Sequence, residues 1–367
     1  MIEFFQNSID TFNNTHHIIQ LCILLTLLLI AAIIFSLLYL KNLRDRLKIK
    51  GRIESTYQKK YASDLIEYLY SADGENINPE QQKKVDYLTK CAQNPLKRKI
   101  IIKTFLKLRN EISGETADAI QNLYYQTELI KSASAKLKGK KWDAIARAIK
   151  ELTQFEIKET HDEIILLINH PKKEVRNEIQ KYLVKLFRFD GLEFLDVLES
   201  QLSEWDQIQL LEILNKFDNP HIPNLGKWLA SENKSVVSFA IKLAKLYNQF
   251  NVKDDIINLF EHHDPEIRIQ AISVVSHLGI YEAVSILKNN LFNRNLDEQI
   301  AFFKMMEDMS TPDEMDFIRE FVNHENFYIR ISAMKILNLI TVDTDNTFRI
   351  NINDTELIID NVLTKAS

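Results

Sequence analysis

The chain has 367 residues, enough for two or three domains of ordinary size, with 46 Lys and Arg against 51 Asp and Glu and a formal net charge of −5. Only 7 Gly and 7 Pro occur in this length, against average usage of about 7% and 5%; that argues for helices on short turns and against loop-built active sites or nucleotide cradles. Two cysteines, Cys22 and Cys91, make no disulfide framework and suit a reducing compartment.

Residues 1–17 form a short N-terminal stretch without Lys or Arg. Residues 18–40, IIQLCILLTLLLIAAIIFSLLYL, then run without a charged side chain. At about 1.5 Å per residue such a helix spans about 34 Å, more than the hydrocarbon core of a bilayer. A cluster of positive charge follows at once, with Lys41, Arg44, Arg46, Lys48, Lys50 and Arg52. By the positive-inside rule this predicts one transmembrane helix, the first 17 residues outside and the remainder in the cytoplasm at the inner membrane. A cleaved signal peptide fits poorly, because the preceding residues include Glu3 and Asp10 and the apolar run is too long. Arg44, Arg46, Lys48, Lys50 and Arg52 are expected to face anionic lipid headgroups.

Residues 41–75 read as a basic helical linker continuing from the span, broken at Asp73-Gly74-Glu75-Asn76. Residues 76–141 read as atypical helical repeats with a polar, basic insert at 131–141. Beyond them the chain repeats every 30 or 31 residues. The anchors Ala144, Val175, Asp206, Val236, Ile267, Glu298 and Ile329 are each followed four residues later by Ala148, Ile179, Leu210, Ala240, Ala271, Phe302 and Ala333. A further apolar residue or pair comes seven to eight residues after each anchor, which makes one buried helical stripe, seven times over. An earlier copy begins at Asn94-Pro95. Between copies lie shorter apolar segments, two of which begin with capping-box spacing, Thr160 with Glu163 and Thr311 with Glu314. Each unit is thus expected to be a helix pair, stacked on its neighbours across residues 142–340. Residues 341–367, including ELIIDNVL, read as a capping segment.

The sequence Asp264-Pro265-Glu266-Ile267-Arg268-Ile269-Gln270-Ala271 resembles the start of the second helix in the HEAT-repeat family, in its short bacterial form. Partial copies stand at His170-Pro171 with Val175-Arg176, where two extra residues intervene, and at Ile329-Arg330 with Ala333. The resemblance implies an all-α fold, an N-terminal membrane helix followed by an α-α superhelix of about eight pairs. It also implies that Asp264, Arg176, Arg268 and Arg330 bond between neighbouring units as a ladder, interrupted where Gln207 and Gln299 replace arginine. The family consists mostly of scaffolds and adaptors.

No phosphate-binding loop, His-Glu-x-x-His or Cys-x-x-Cys pattern occurs. His262-His263-Asp264, His161-Asp162-Glu163 and the acids Glu193, Asp196 and Glu199 are read as helix ends and solvated faces rather than metal or catalytic sites. No cofactor and no small-molecule substrate are expected. The charge is uneven. Residues 1–150 hold 24 basic and 15 acidic residues, a balance of +9, whereas residues 151–367 hold 22 and 36, a balance of −14. The expected function is a non-catalytic scaffold that holds a protein partner of basic or mixed surface at the inner membrane face, with Trp205, Glu266 and Glu298 as candidate contacts. The alternatives are a single-span signal transducer, for which 17 external residues leave little room, and a nucleic-acid-acting enzyme, which the acidic distal half disfavours.

Overall fold

A computed structural model describes residues 17–71, 78–112, 114–218 and 222–344. The described residues contain helices and no strand, and they divide into two compact units, Met1–Ala133 and Ser134–Ser367. The proposed capping segment from residue 345 onward and the first 16 residues lie outside the described residues.

In the first unit, α1 (His17–Tyr70) is one continuous helix of 54 residues. Its apolar part is uncovered, Leu28 being 62% and Phe35 72% exposed, and it is the one helix among the described residues long and apolar enough to cross a membrane. Its last turns are different. Tyr61, Leu65 and Tyr68 are buried against α2 (Pro79–Ala92) and α3 (Pro95–Glu111). Lys84 of α2 bridges Asp64 at 2.9 Å and Glu67 at 2.6 Å. Asn78 caps α2 through a reciprocal capping box with Gln81. Asn94 caps α3, with Pro95 in its first turn, and Ile101, Thr104 and Phe105 are buried. The unit continues with α4 (Glu115–Gln126) and α5 (Leu129–Leu137). The basic insert read at 131–141 is therefore mostly the body of α5, followed by a short turn.

In the second unit the long helices are α6 (Trp142–Gln154), α8 (Lys173–Phe187), α9 (Glu204–Leu214), α11 (Lys234–Leu246), α13 (Pro265–Leu278), α15 (Leu296–Met309) and α17 (Phe327–Thr344). They carry the repeat. All seven residues four after the anchors, from Ala148 to Ala333, are at most 1% exposed. Six anchors are buried as well; in α6 Ile145 is buried and Ala144 only half-buried.

The first half of each unit is not a full helix. It is reduced to α7 (His161–Ile165), a 3₁₀ segment Asp190–Asp196, α10 (Gly226–Leu229), α12 (Lys253–Asn258) flanked by 3₁₀ turns, α14 (Glu282–Asn289) and α16 (Met315–Arg319). A period of about 31 residues leaves too little chain for two turns and a second long helix. Pieces this short do not pay the cost of nucleation by themselves and are held by packing, through residues such as Ile164, Leu195, Trp228, Phe260, Leu287 and Ile318. The 3₁₀ segment lies so close to α8 that a Cβ on Gly191 would stand 2.2 Å from the Leu183 carbonyl oxygen.

Candidate partner-binding surface

The turn entering each long helix sets what that helix shows to solvent. In three units a histidine six residues before an arginine organises the turn. His170 Nδ1 accepts from the Lys172 N–H at 3.0 Å, His262 Nδ1 from Asp264 N–H at 3.0 Å, and His324 Nδ1 from Asn326 N–H at 3.1 Å. The same histidines' carbonyls accept from Arg176 Nη1 at 2.7 Å, Arg268 Nη1 at 2.6 Å and Arg330 Nη1 at 2.7 Å. The three turns have equal length, so the two extra residues read at His170-Pro171 do not exist: Lys172, not His170, stands where Asp264 caps.

The ladder expectation is corrected by these bonds. Arg176 and Arg330 hold their own turns, through His170 and Pro171 or His324 and Glu325. Arg268 alone of the three also bonds an acid in the next unit, Glu298, at 2.6 Å. The glutamines do not interrupt the pattern. Gln207 donates to the Leu202 carbonyl at 3.1 Å and Gln299 to that of Arg294 at 2.9 Å, doing for their turns what arginine does elsewhere. Rungs between units run instead from Lys173 to Asp206 at 3.1 Å and from Lys234 to Asp264 at 2.8 Å and Glu266 at 2.6 Å. Asp264 caps Glu266 N–H, and Lys234 holds its carboxyl below the usual carboxylate range. Burial alone would raise the Asp206 carboxyl; Ser203 and Lys173 outweigh it and hold it low.

The candidate contacts separate sharply. Trp205 is 64% exposed and lies beside Ile208, itself 52% exposed, at the start of α9. Glu266 is exposed but engaged by Lys234. Glu298 is not a surface contact: it is 1% exposed, between Arg268 and Arg294, the latter at 3.3 Å. A charge at the anchor position was read as surface because its cations come from other turns. Trp142 is 40% exposed. Arg44, Arg46, Lys48, Lys50 and Arg52 are all exposed along α1. His262 and His263 rings lie 4.2 Å apart, and His262 Nδ1 is occupied by the turn. His161 packs edge-on to Phe187 at 4.8 Å. Among the described residues no group of three or more His, Cys, Asp or Glu is placed to hold a metal ion.

Charge is distributed by element. The seven long helices of the second unit are formally neutral as a set, with 13 basic and 13 acidic residues, while the six segments between them carry −11. The acidity of the distal half therefore lies on the short first segments and not on the long helices. Along the long helices a row of lysines recurs six residues after the anchors: Lys150, Lys181, Lys242, Lys304 and Lys335. This row was not among the expected features, although the 31-residue step contains it. Two cavities open on the second unit. One, of about 400 Å³, lies beside His161, Phe187 and Asp190; the other, of about 460 Å³, lies between α13 and α15.

No family model and no curated protein matches the chain. Solved structures do. An engineered protein is 13% identical and covers 76% of this chain and 88% of its own at a TM-score of 0.35. A structure concerning tubulin recruitment and assembly by microtubule polymerases with Tumor Overexpressed Gene (TOG) domain arrays is 11% identical, covering 79% and 77%, at 0.24. A second engineered protein is 13% identical, covering 76% and 96%, at 0.17. None reaches a TM-score of 0.5, and the helical-repeat architecture stands on the internal period of this chain.

Proposed function

We propose that this chain is a membrane-anchored, HEAT-like scaffold without catalytic activity, its repeats in the cytoplasm and its partners proteins of basic or mixed surface held at the inner membrane face. The anchor is supported by the uncovered apolar span and the exposed basic residues that follow it. The observation that carries the binding role is the exposed Trp205–Ile208 pair, an amphipathic aromatic with its apolar neighbour on a helix whose other face is core. Such residues form the centres of protein interfaces. The acidic first segments supply steering toward positive charge.

Two measurements test this. The protein should remain in membranes through alkaline carbonate extraction, and a reporter fused after Ser367 should be active only if it matures in the cytoplasm. A photo-crosslinker placed at Trp205 in the full chain should then join a defined protein in native membranes. Extraction by carbonate, or a crosslinker that finds only lipid and solvent, removes the reading.

A further inference from the structure

The lysine row has a gap with a shape. In α13 the row position is Ser273, and the missing side chain opens the cavity of about 460 Å³. Lys245 stands on one side and donates to Ser273 Oγ at 3.2 Å. Lys304 stands on the other and has no partner among the described residues. Ser276 donates to Asp308 at 2.9 Å, and His277 faces Asn248 at 3.1 Å. Ile269 and Met305 give the cavity an apolar lining.

We propose that this cavity is a subsite for one side-chain carboxylate of an acidic peptide segment in a protein partner, lying along the lysine row. The proposal rests on the scaffold reading and names the chemistry of what is held. With His277 neutral, the walls carry two positive charges and one negative, which balances a single carboxylate; a phosphate dianion would sit against Asp308. The apolar lining suits the methylenes of a glutamate. Adjacent packed helices lie about 8–10 Å apart, and an extended chain advances about 3.3 Å per residue, so acids at every third residue would meet successive row positions.

The test uses the full chain in nanodiscs of neutral lipid and a labelled extended peptide of about 12 residues with Glu at every third position. Fluorescence anisotropy should show binding that weakens with salt. Lys245→Glu with Lys304→Glu should weaken it at least about tenfold, whereas Lys107→Glu, a charge reversal in the first unit, should change it less than about twofold. Ser273→Lys decides between a cavity and general positive charge. It completes the row but fills the gap, so affinity should fall; a rise overturns the proposal. Tighter binding of the matching phosphoserine peptide, or binding of anionic vesicles with equal loss in the same variants, also overturns it. Far-ultraviolet circular dichroism of each variant should match the parent. No peptide binding, together with a protein still crosslinked at Trp205, removes the subsite and leaves the scaffold. Peptide binding without any crosslinked protein keeps the subsite and removes the scaffold.

Discussion

Arg268 reaches across 30 residues of sequence to hold Glu298 of the next unit at 2.6 Å, and Arg294 closes on the same carboxylate from within that unit at 3.3 Å. Burial alone would raise the Glu298 carboxyl; the two guanidiniums outweigh it and hold it below the ordinary range. Removing one partner of a buried ion pair leaves the other uncompensated, at about 3–5 kcal/mol. Arg268→Ala should therefore lower stability by about that amount in a denaturant titration. A carboxyl depressed on folding stabilises above its unfolded value and loses this as pH falls through the folded one. The difference between parent and Glu298→Gln should thus be full at pH 7 and should shrink in the acid range below about 4.5. A difference that stays constant down to that range would show the carboxylate to be unpaired.

The histidine turn responds to pH in a higher window. Burial lowers the His262 imidazole, His263 lowers it further, and Asp264 opposes both. The neutral ring accepts the Asp264 N–H; a protonated ring has no acceptor. A depressed histidine contributes stability that is complete above its unfolded value near 6.5 and is lost as pH falls below it. His262→Ala should cost about 1 kcal/mol at pH 8, and less at pH 5. His262→Asn, whose side-chain oxygen can accept from the same N–H, should restore most of the loss. Equal cost at both pH values would mean that the ring stabilises only by packing.

The stripe itself is open to a direct insult. Ala271 is fully buried between neighbouring long helices. Ala271→Asp places an uncompensated carboxylate there, a change of the kind that ranks among the most destabilising single substitutions. Its expected outcome is a large fall in melting temperature or failure to accumulate, whereas an unchanged melting temperature would mean that the repeat register is misplaced.

These residues show what periodicity can and cannot reveal. Ala148 and Phe302 were legible because a 31-residue step superimposes them, and burial follows from one-sided packing of each helix. Trp205 sits one residue before its anchor, off that stripe, and its exposure follows from the same geometry. Glu298 was misread because Arg268 and Arg294, which neutralise it, lie in other turns. The Asp-Pro pattern drew attention to the cap, yet the caps of the three histidine turns are Lys172, Asp264 and Asn326, and the shared chemistry is the histidine and arginine around them. The capping boxes read at Thr160 and Thr311 do not form. Thr160 Oγ instead lies 3.4 Å from the Tyr182 hydroxyl, a tertiary partner that local spacing does not contain. A reciprocal box forms at Ser203 with Asp206, a spacing that the search for Thr and Glu passed over.

Gly191 marks the closest approach of a first segment to a long helix. Its added Cβ would lie 2.2 Å from the Leu183 oxygen and 2.6 Å from its carbon, both backbone atoms that a rotamer change cannot move. Gly191→Ala should cost at least about 1–3 kcal/mol, the range of overpacking in cores. Gly51 provides the comparison, since nothing lies within 4 Å of the position of its Cβ. As an exposed interior helix position, Gly51→Ala should be neutral or stabilising by up to about 1 kcal/mol. Equal effects of the two substitutions would place the 3₁₀ segment farther from α8.

Trp205 and Trp228 should separate binding from folding. Trp228 is 1% exposed, and its indole N–H donates to Asp196 of the preceding unit, so truncation removes core and leaves a buried carboxylate partner short of a donor. Trp228→Ala should cost about 3–5 kcal/mol. Trp205 is 64% exposed, and Trp205→Ala should alter stability by no more than about 0.5 kcal/mol. Its effect belongs in the complex. Anchors at interface centres act mainly on the dissociation rate, so dissociation of the crosslinked partner from the Trp205→Ala protein should quicken by at least about tenfold, with the association rate and its salt dependence little changed. Loss of stability in Trp205→Ala, with dissociation unaltered, would assign this ring to packing and remove the anchor on which the proposed function rests.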